Sequence, residues 1–315
     1  MLIIKFYWLK IVVIYVTLFY HNNFFGGTVL SKKVLITRDS TSDLPLEIIE
    51  KYNIKTVPLG ITLGEKNYLD GVDIDPDFIY KYHEEHGVLP KTSAANIAEM
   101  VDFFAPLVEE GYAIVHFTIS SKMSSTYQNS LIAAEDFEDV YVIDTANLST
   151  GEALLIIKAA ELAEEGKSAK EIFDTVSALV PYVDASFIID NLEYLHKGGR
   201  CSALAALGAN LLKLKPCIQV KYGSMGVCKK YRGRYIQTLE EYVGDRLANL
   251  SDIDLNRVFI THAGCDDEIV NTVKSLVEKN ANFKEILVSR AGCTISSHCG
   301  RNTLGVLYLR KTPLE

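Results

Sequence analysis

The stretch FTISSKMSSTYQNS, residues 117–130, decides the fold because it joins a strand pattern to a helix pattern. The run that leads into it, YAIVHFTI at 112–119, is β-branched and aromatic and has the length of a buried strand. The segment TYQNSLIAAEDF that follows has the composition of a helix. Six serine and threonine residues after Ile119 therefore crowd a strand-to-helix junction, where free backbone N–H groups and the positive end of the helix dipole favour an anion.

Strand and helix patterns alternate on both sides of this junction, from Lys33 to about Tyr182. Further strand patterns are VLITRDS (34–40), IKTVPLGITL (54–63) and VYVIDTA (140–146), and helical patterns occupy 46–53, 77–87, 93–110 and 151–166. The turn-rich segment 64–75 is typical of a tight loop or a small hairpin. This alternation predicts a mostly parallel sheet with helices on both faces, in which ligands bind beyond the carboxyl ends of the strands.

From about Asp184 the pattern changes to that of a second α/β domain with a mixed sheet. Strand candidates are ASFIIDN, CIQVKYG, RVFITHAG, EILVSRAG and LGVLYLRK, and helix candidates are 202–213, 240–251 and 267–280. The turn from Gly223 to Gly226 predicts a hairpin that joins CIQVKYG to VCKKYRG. The predicted domains are therefore 33–183 and 184–315, with a tight interface that is a candidate ligand site.

The first 32 residues differ from the rest of the chain. They are almost wholly apolar, but Lys5 and Lys10 leave an uninterrupted apolar run of only IVVIYVTLFY, residues 11–20. Three interpretations stay open: an extension outside the fold that arises from a misassigned start, an export signal, or a membrane anchor. In each case the compact fold is expected to begin near Lys33.

Composition and charge exclude several classes of protein. With 315 residues, 48% of them hydrophobic, the chain is long enough for two domains with sizeable cores. A formal net charge of −8 argues against a nucleic-acid partner, which requires a basic surface. The six cysteines, at 201, 217, 228, 265, 293 and 299, form no C-x-x-C pair. Their spacing argues against a metal site and favours a reduced, cytoplasmic protein without cofactors.

Four clusters of hydroxyl or imidazole side chains are predicted to lie on loops at strand ends or helix starts. They are residues 39–42, 91–93, 120–126 and 296–298. Each cluster could simply cap a helix, since Ser, Thr and Asp satisfy the free N–H groups at helix N-termini. Their repetition after successive strands favours a shared site, because loops at one edge of a parallel sheet converge. His298, predicted in a glycine-containing loop, is either a structural residue or a group that faces a carboxylate.

A basic loop, LEYLHKGGRCS at 192–202, places Lys197 and Arg200 around a pair of glycines. The glycines indicate a turn with positive φ, and the basic residues are either solvated or bind a ligand. Neither G-x-x-x-x-G-K-[ST] nor G-x-G-x-x-G occurs in the chain. The sequence therefore argues against an ATP site within this protein.

Ten ordered motifs resemble those of the DegV family, over essentially all of 33–315. They are RDSTSDLP (38–45), VPLGIT (57–62), YLDGVDI (68–74), LPKTSAA (89–95), ISSKMSSTYQNS (119–130), VIDT (142–145), NLEYLHKGGR (191–200), KP (215–216), YRGR (231–234) and SSHCGRNTLG (296–305). The resemblance implies a three-layer α/β/α N-terminal domain and a two-layer α/β C-terminal domain. It also implies a carrier that holds a long-chain fatty acid between the domains and presents it to a separate ATP-dependent fatty acid kinase subunit, in the cytoplasm and with only transient membrane contact unless 1–32 is an anchor.

The resemblance also assigns roles to residues of this chain. It implies that Thr92, Ser93, Ser124 and His298 bind the fatty-acid carboxylate. Supporting positions are Thr62, Ser125, Thr126 and Arg301, with Ser125 where the family has glycine. Lys197, Arg200 and Arg232 are candidates for kinase docking or phosphate contact. The family comparison implies no catalytic residue and no metal ligand.

Two enzyme classes compete with the carrier interpretation. A Ser–His hydrolase acting on a lipid ester would use Ser124 as nucleophile and His298 as base. The chain lacks a G-x-S-x-G elbow, and Ser124 is one of several hydroxyl residues, which argues against this class. A nucleotide-dependent oxidoreductase is disfavoured because the glycine fingerprint is missing.

Overall fold

The computed structural model describes residues 32–201 and 214–314. The predicted extension 1–32, apart from Lys32, and the predicted helix 202–213 lie outside the described residues. The strands are β1 Val34–Asp39, β2 Lys55–Val57, β3 Gly60–Leu63, β4 Lys66–Leu69, β5 Lys91–Ser93, β6 Ala113–Thr118, β7 Val140–Asp144, β8 Val183–Ile189, β9 Lys215–Lys221, β10 Ser224–Tyr231, β11 Ile253–Ala263, β12 Glu285–Arg290 and β13 Thr303–Arg310. The helices are α1 Leu46–Lys51, α2 Pro76–His86, α3 Ile97–Glu109, α4 Thr126–Ala134, α5 Thr150–Glu164, α6 Ala169–Leu179, α7 Glu193–Gly198, α8 Tyr235–Arg246, α9 Asp267–Asn280 and α10 Cys293–Cys299.

A parallel sheet organises the first half of the chain, in the strand order β2-β1-β6-β7. Alternate residues of β6 face opposite sides, as the period of a strand requires. Ile114 packs with residues of α3 and α4, whereas Val115 and Phe117 pack with residues of α5 and α6. The predicted mostly parallel sheet with helices on both faces is confirmed.

A small antiparallel sheet, in the order β4-β3-β5, accompanies the parallel sheet. The segment IKTVPLGITL was expected to be one strand, but it divides at Pro58 into β2 and β3, since proline has no N–H group to continue a ladder. The small hairpin expected in 64–75 is formed by β3 and β4. Lys91–Ser93 was expected to be a loop at a strand end. That expectation was wrong, because its backbone pairs with β3.

A mixed sheet organises the second half, in the order β10-β9-β8-β13-β11-β12. Strands β11 and β12 are parallel, and the other neighbouring pairs are antiparallel. The predicted hairpin of β9 and β10 turns at Tyr222–Gly223, where both residues have positive φ. Helices α8 and α9 cover one face with buried side chains such as Leu239 and Val273. The predicted mixed sheet is confirmed.

Helix α5 lies between the two larger sheets and joins their cores. It contacts β1 and β6 of the parallel sheet and β8, β11 and β13 of the mixed sheet. Its buried residues, Leu154 and Ile156 among them, belong to one hydrophobic cluster with Val115 and Phe187. The chain passes from one sheet to the other at β8, and the domain division at 183/184 stays a prediction.

Helix α10 is the element that carries His298, which was predicted to lie in a loop. That prediction was wrong, since Cys293–Cys299 is helical and is capped by carboxylates from distant parts of the chain. No helix within residues 32–201 and 214–314 combines the length and apolar character needed to span a membrane.

Candidate functional site

The four residues expected to bind a carboxylate lie around one cavity of about 60 Å³. Polar side chains on its wall are Thr92, Ser93, Ser124, Arg200, Thr294 and His298. The remaining wall is mostly apolar, from Leu59, Ile119, Met123, Leu148, Leu195, Met225 and Ile295. Strands β5 and β10, the β6–α4 junction, α7 and α10 thus contribute to one space, together with Leu59 just before β3. The carboxylate-binding role of the four residues stays a prediction.

The His298 imidazole lies between the Thr92 hydroxyl and Gly198. Its Nε2 lies 2.9 Å from the Thr92 hydroxyl, and a Cβ placed on Gly198 would lie only 2.5 Å from its Nδ1. The glycine pair of the basic loop therefore has a packing role in addition to the turn at Gly199, whose φ is +69°. Nδ1 has no hydrogen-bond partner among the described residues.

His298 is neutral at pH 7. Burial and, secondarily, the nearby Arg200 guanidinium lower its pKa to about 4. A neutral imidazole carries one N–H donor, and the nitrogen that carries it decides whether Nε2 donates to the Thr92 hydroxyl or accepts from it. His298 therefore bonds to Thr92 without carrying a charge of its own.

The hydroxyl-rich stretch has both capping and lining roles. The Ser124 hydroxyl accepts a hydrogen bond from Thr126 N at 3.2 Å, lies 2.9 Å from the Thr126 hydroxyl and lines the cavity. Ser125 has φ −80°, a conformation that any residue adopts, so serine fits at the family's glycine position. Ser120 donates to Gly223 O at 2.7 Å and so ties the β9–β10 turn to this junction.

Two buried aspartates hold the start of α10, and sequence reasoning did not identify them as part of the site. Asp70 accepts hydrogen bonds from Cys293 N at 2.8 Å and Thr294 N at 3.0 Å. Asp43 accepts one from Gly292 N at 2.8 Å. In the sequence, Asp43 and Asp70 stand out only because they lie in the RDSTSDLP and YLDGVDI motifs. They position the helix that carries His298.

The Asp39–Ser42 cluster, predicted as a candidate binding loop, lies in the same buried polar network. Thr41 donates to Asp39 at 2.6 Å and is 3.1 Å from Glu152 Oε2, and Ile119 N donates to Asp39 at 2.8 Å. Burial raises the pKa of Asp43 to about 7 and that of Glu152 well above its ordinary value. Residues 39–43 and Glu152 do not line the 60 Å³ cavity, but the bond from Ile119 N joins this network to the cavity wall, because Ile119 is one of the lining residues.

The supporting and basic candidates are dispersed. Thr62 donates to Asn67 at 2.8 Å on the exposed side of β3, and Arg301 lies over the Tyr80 ring with Glu84 at 3.7 Å. Neither side chain lines the cavity, nor do those of Ser125 and Thr126. Among the basic candidates, Arg200 lines the cavity and Arg232 is exposed after β10. Lys197 is exposed and pairs with Glu193 at 2.7 Å. The loop predicted at Lys197 was wrong, since Glu193–Gly198 forms helix α7.

A second, more apolar cavity of about 30 Å³ adjoins the first. The two share Leu148, Ile295 and Cys299 on their walls. The second cavity continues to the mixed sheet, where Phe187, Val220 and Leu307 line it. The wall of the second cavity is mainly apolar, although Ser149, Thr261, His262 and Thr303 also line it. In the described part of the chain, no cluster of three or more His, Cys, Asp or Glu side chains is arranged to hold a metal ion.

Comparison with known families supports the resemblance found in the motifs. A family model described as "Uncharacterised protein, DegV family" matches residues 33–311. The chain belongs to the DegV family. A DegV domain-containing protein from Clostridium acetobutylicum is 35% identical over 284 residues, which cover 89% of this chain and 99% of that protein.

Two solved structures of other proteins share the fold of this chain. A DegV family protein from Thermus thermophilus, described for its fatty acid binding, is 28% identical with a TM-score of 0.81, covering 88% of this chain and 99% of its own. A stearic-acid-binding protein from Eubacterium ventriosum is 28% identical with a TM-score of 0.76, covering 88% of this chain and 98% of its own. Both relatives therefore match this DegV protein over nearly their whole length.

Proposed function

We propose that this DegV protein binds a long-chain fatty acid, with its carboxylate at Thr92, Ser93, Ser124 and His298 and its tail along the adjoining apolar cavity. The observation that carries the proposal is the convergence of these four side chains, from three separate parts of the chain, on one cavity with an otherwise apolar wall. The fatty acid binding of the Thermus thermophilus and Eubacterium ventriosum relatives supports it.

The polar end of the cavity has the chemistry that a carboxylate requires. The Thr92 and Ser124 hydroxyls can donate, as can His298 when its Nε2 carries a proton, and the Arg200 guanidinium supplies a positive charge on the same wall. Because a bound anion favours the protonated imidazole, binding raises the pKa of His298 from its low value in the free protein.

The apolar end supplies most of the affinity. The two cavities, of about 60 and 30 Å³, are smaller than such a tail, so their walls have to separate as the lipid enters. Burying about fifteen methylene groups at ~0.8 kcal/mol each then contributes ~12 kcal/mol before the costs of opening the protein and ordering the chain. The polar residues then fix which end of the lipid faces the basic loop. That division of roles fits a carrier, which holds an insoluble tail and leaves its head group accessible.

The head group is presented to a separate ATP-dependent fatty acid kinase subunit. Arg200 lies on the cavity wall and Lys197 is exposed near the end of α7, which supports a role for both in docking the partner. This DegV protein then works in the cytoplasm, where ATP is available and thiols stay reduced. Charge reversal at Lys197 and Arg200 together should slow phosphorylation of the bound lipid, and a wild-type rate would exclude this assignment.

Fatty-acid titration tests the binding site. We expect Ser124→Ala and His298→Ala each to weaken affinity about tenfold or more, the value of one lost hydrogen bond to a charged group. Ser121→Ala is the matched control, since Ser121 is exposed, belongs to the same hydroxyl stretch and does not line the cavity. Unchanged affinity in both site variants would exclude this carboxylate site.

The hydrolase alternative has less support from the geometry. His298 Nε2 faces Thr92, the Ser124 hydroxyl lies against Thr126, and no carboxylate among the described residues is hydrogen-bonded to the imidazole. A Ser–His mechanism requires the base to contact the nucleophile and a third group to orient the base. Hydrolysis of long-chain acyl esters that is lost in Ser124→Ala would favour this alternative over the carrier.

A further inference from the structure

Two cysteines face each other across the β9–β10 hairpin. Strand β9 carries Cys217 and strand β10 carries Cys228, and the register shifts between Val227 and Lys229, so that Cys228 occupies a β-bulge opposite Cys217. The Cys228 thiol donates a hydrogen bond to the Cys217 carbonyl oxygen, with Sγ 3.4 Å from that oxygen, and the Cys217 thiol is close enough to shift the pKa of Cys228. The bulge thus sets Cys228 beside Lys229, the residue paired with Cys217, and brings the two cysteines into contact across the hairpin, as a disulfide requires.

The two thiols differ in accessibility and acidity. Cys217 is 3% exposed, whereas Cys228 is exposed on the edge strand of the mixed sheet. The hydrogen bond from the Cys217 thiol lowers the pKa of Cys228, and the Arg246 guanidinium lowers it further. The same hydrogen bond, together with burial, raises the pKa of Cys217. Cys228 is therefore the thiol that ionises and meets an oxidant, and Cys217 is the partner that stays protonated.

We propose that Cys217 and Cys228 form an oxidative modification site, at which a hydroperoxide converts the thiol pair into a cross-strand disulfide. The Cys228 thiolate first attacks the hydroperoxide: an S–O bond forms, the O–O bond breaks, and an alcohol or water leaves once its oxygen is protonated, giving the sulfenic acid. The Cys217 sulfur then attacks Cys228, losing its proton. The S–S bond forms, the S–O bond breaks and water leaves, so the two thiols are oxidised by two electrons and the hydroperoxide is reduced by two.

The other cysteines provide matched controls. Cys265 and Cys299 are buried, and burial raises the pKa of the Cys265 thiol to about 11 and that of the Cys299 thiol to about 12. Neither is hydrogen-bonded to a second thiol among the described residues. These two thiols should stay reduced at hydroperoxide concentrations that oxidise the pair.

Peptide mapping of the full chain under non-reducing conditions tests the proposal. After treatment with hydrogen peroxide at pH 7, we expect one linked peptide pair that contains Cys217 and Cys228 and that separates on reduction. In Cys217→Ser, Cys228 should instead be trapped as sulfenic acid by a dimedone probe and then proceed to sulfinic acid. In Cys228→Ser, Cys217 should remain a free thiol.

Alkylation rates give a second readout on the untreated protein. Cys228 should react with iodoacetamide about tenfold faster than Cys265 or Cys299, because the thiolate is the nucleophile. The proposal is overturned if peroxide leaves Cys217 free while Cys228 is oxidised, or if the linked peptides join other cysteines. Neither readout depends on lipid binding, so a failure here is distinct from a failure of the proposed function.

Discussion

His298 Nε2 lies 2.9 Å from the Thr92 hydroxyl, and this contact joins helix α10 to edge strand β5 across 206 positions of sequence. It places a neutral imidazole and a hydroxyl on the wall of the same cavity as Ser124 and Arg200. We expect Thr92→Val to weaken fatty-acid affinity about tenfold while changing stability little, since Thr92 is only half-buried. Thr62→Val is the control, because Thr62 lies on neighbouring β3 but not on the cavity. Isothermal titration of both variants checks the difference, and equal affinities would exclude Thr92 from the site.

Gly198 is predicted to be irreplaceable for packing reasons. The Cβ of Gly198→Ala would lie 2.5 Å from His298 Nδ1, so the imidazole must shift away from Thr92. We expect a stability loss of about 1–3 kcal/mol, typical of an overpacked site, together with weaker lipid binding. Gly244→Ala is the matched control, since a Cβ there meets nothing within 4 Å inside helix α8 and should stabilise by about 0.5–1 kcal/mol. Urea unfolding of both variants measures the contrast, and a Gly198→Ala protein as stable as wild type would contradict it.

Asp70 is predicted to position the site without touching the lipid. Asp70→Ala removes the acceptor for Cys293 N, Thr294 N and the Ser40 hydroxyl, and should destabilise the protein by about 2–4 kcal/mol. Asp73→Ala removes one exposed hydrogen bond to Leu69 N and should cost less than about 1 kcal/mol. Thermal unfolding at one pH compares the two, and equal losses would argue against the capping role of Asp70.

We predict that His298 makes the free energy of unfolding depend on pH. Its folded pKa of about 4 lies below the unfolded value of 6.5, so the unfolded chain takes up a proton between these values that the folded protein does not. The contribution of His298 to the free energy of unfolding is therefore fully present above pH 6.5, and it is lost as the pH falls from 6.5 towards 4. Between pH 7 and pH 5 the wild type should therefore lose about 2 kcal/mol more stability than His298→Gln. Identical pH profiles would show that the His298 pKa is not lowered by folding.

The strand-to-helix junction could be predicted from the sequence because its signals are local. The apolar run before Ile119 and the helical composition after Ser125 each lie within one element, and the structure has β6 and α4 there. The sheet class followed in the same way, from the alternation of such elements. Strand β5 could not be predicted, since three residues have no periodicity and their pairing depends on β3 alone.

Helix α10 and the walls of the cavity depend on contacts that are distant in sequence. The caps of α10, Asp43 and Asp70, precede it by more than 200 residues, so its seven residues gave no local helix signal. The apolar wall of the cavity also joins residues that are distant in sequence, since Leu195 comes from α7 and Met225 from β10. Hydrophobic patterning showed that such residues are buried, but it contained no information on which of them meet.

Native mass spectrometry of the full chain tests the central claim most directly. After incubation with stearic acid, the wild type should carry one adduct of the mass of the fatty acid, and the Thr92→Val/His298→Ala double variant should carry much less at the same concentration. The Thr62→Val variant should match the wild type. An adduct of equal abundance in wild type and double variant would place the lipid elsewhere, and no adduct in any of them would contradict the carrier account.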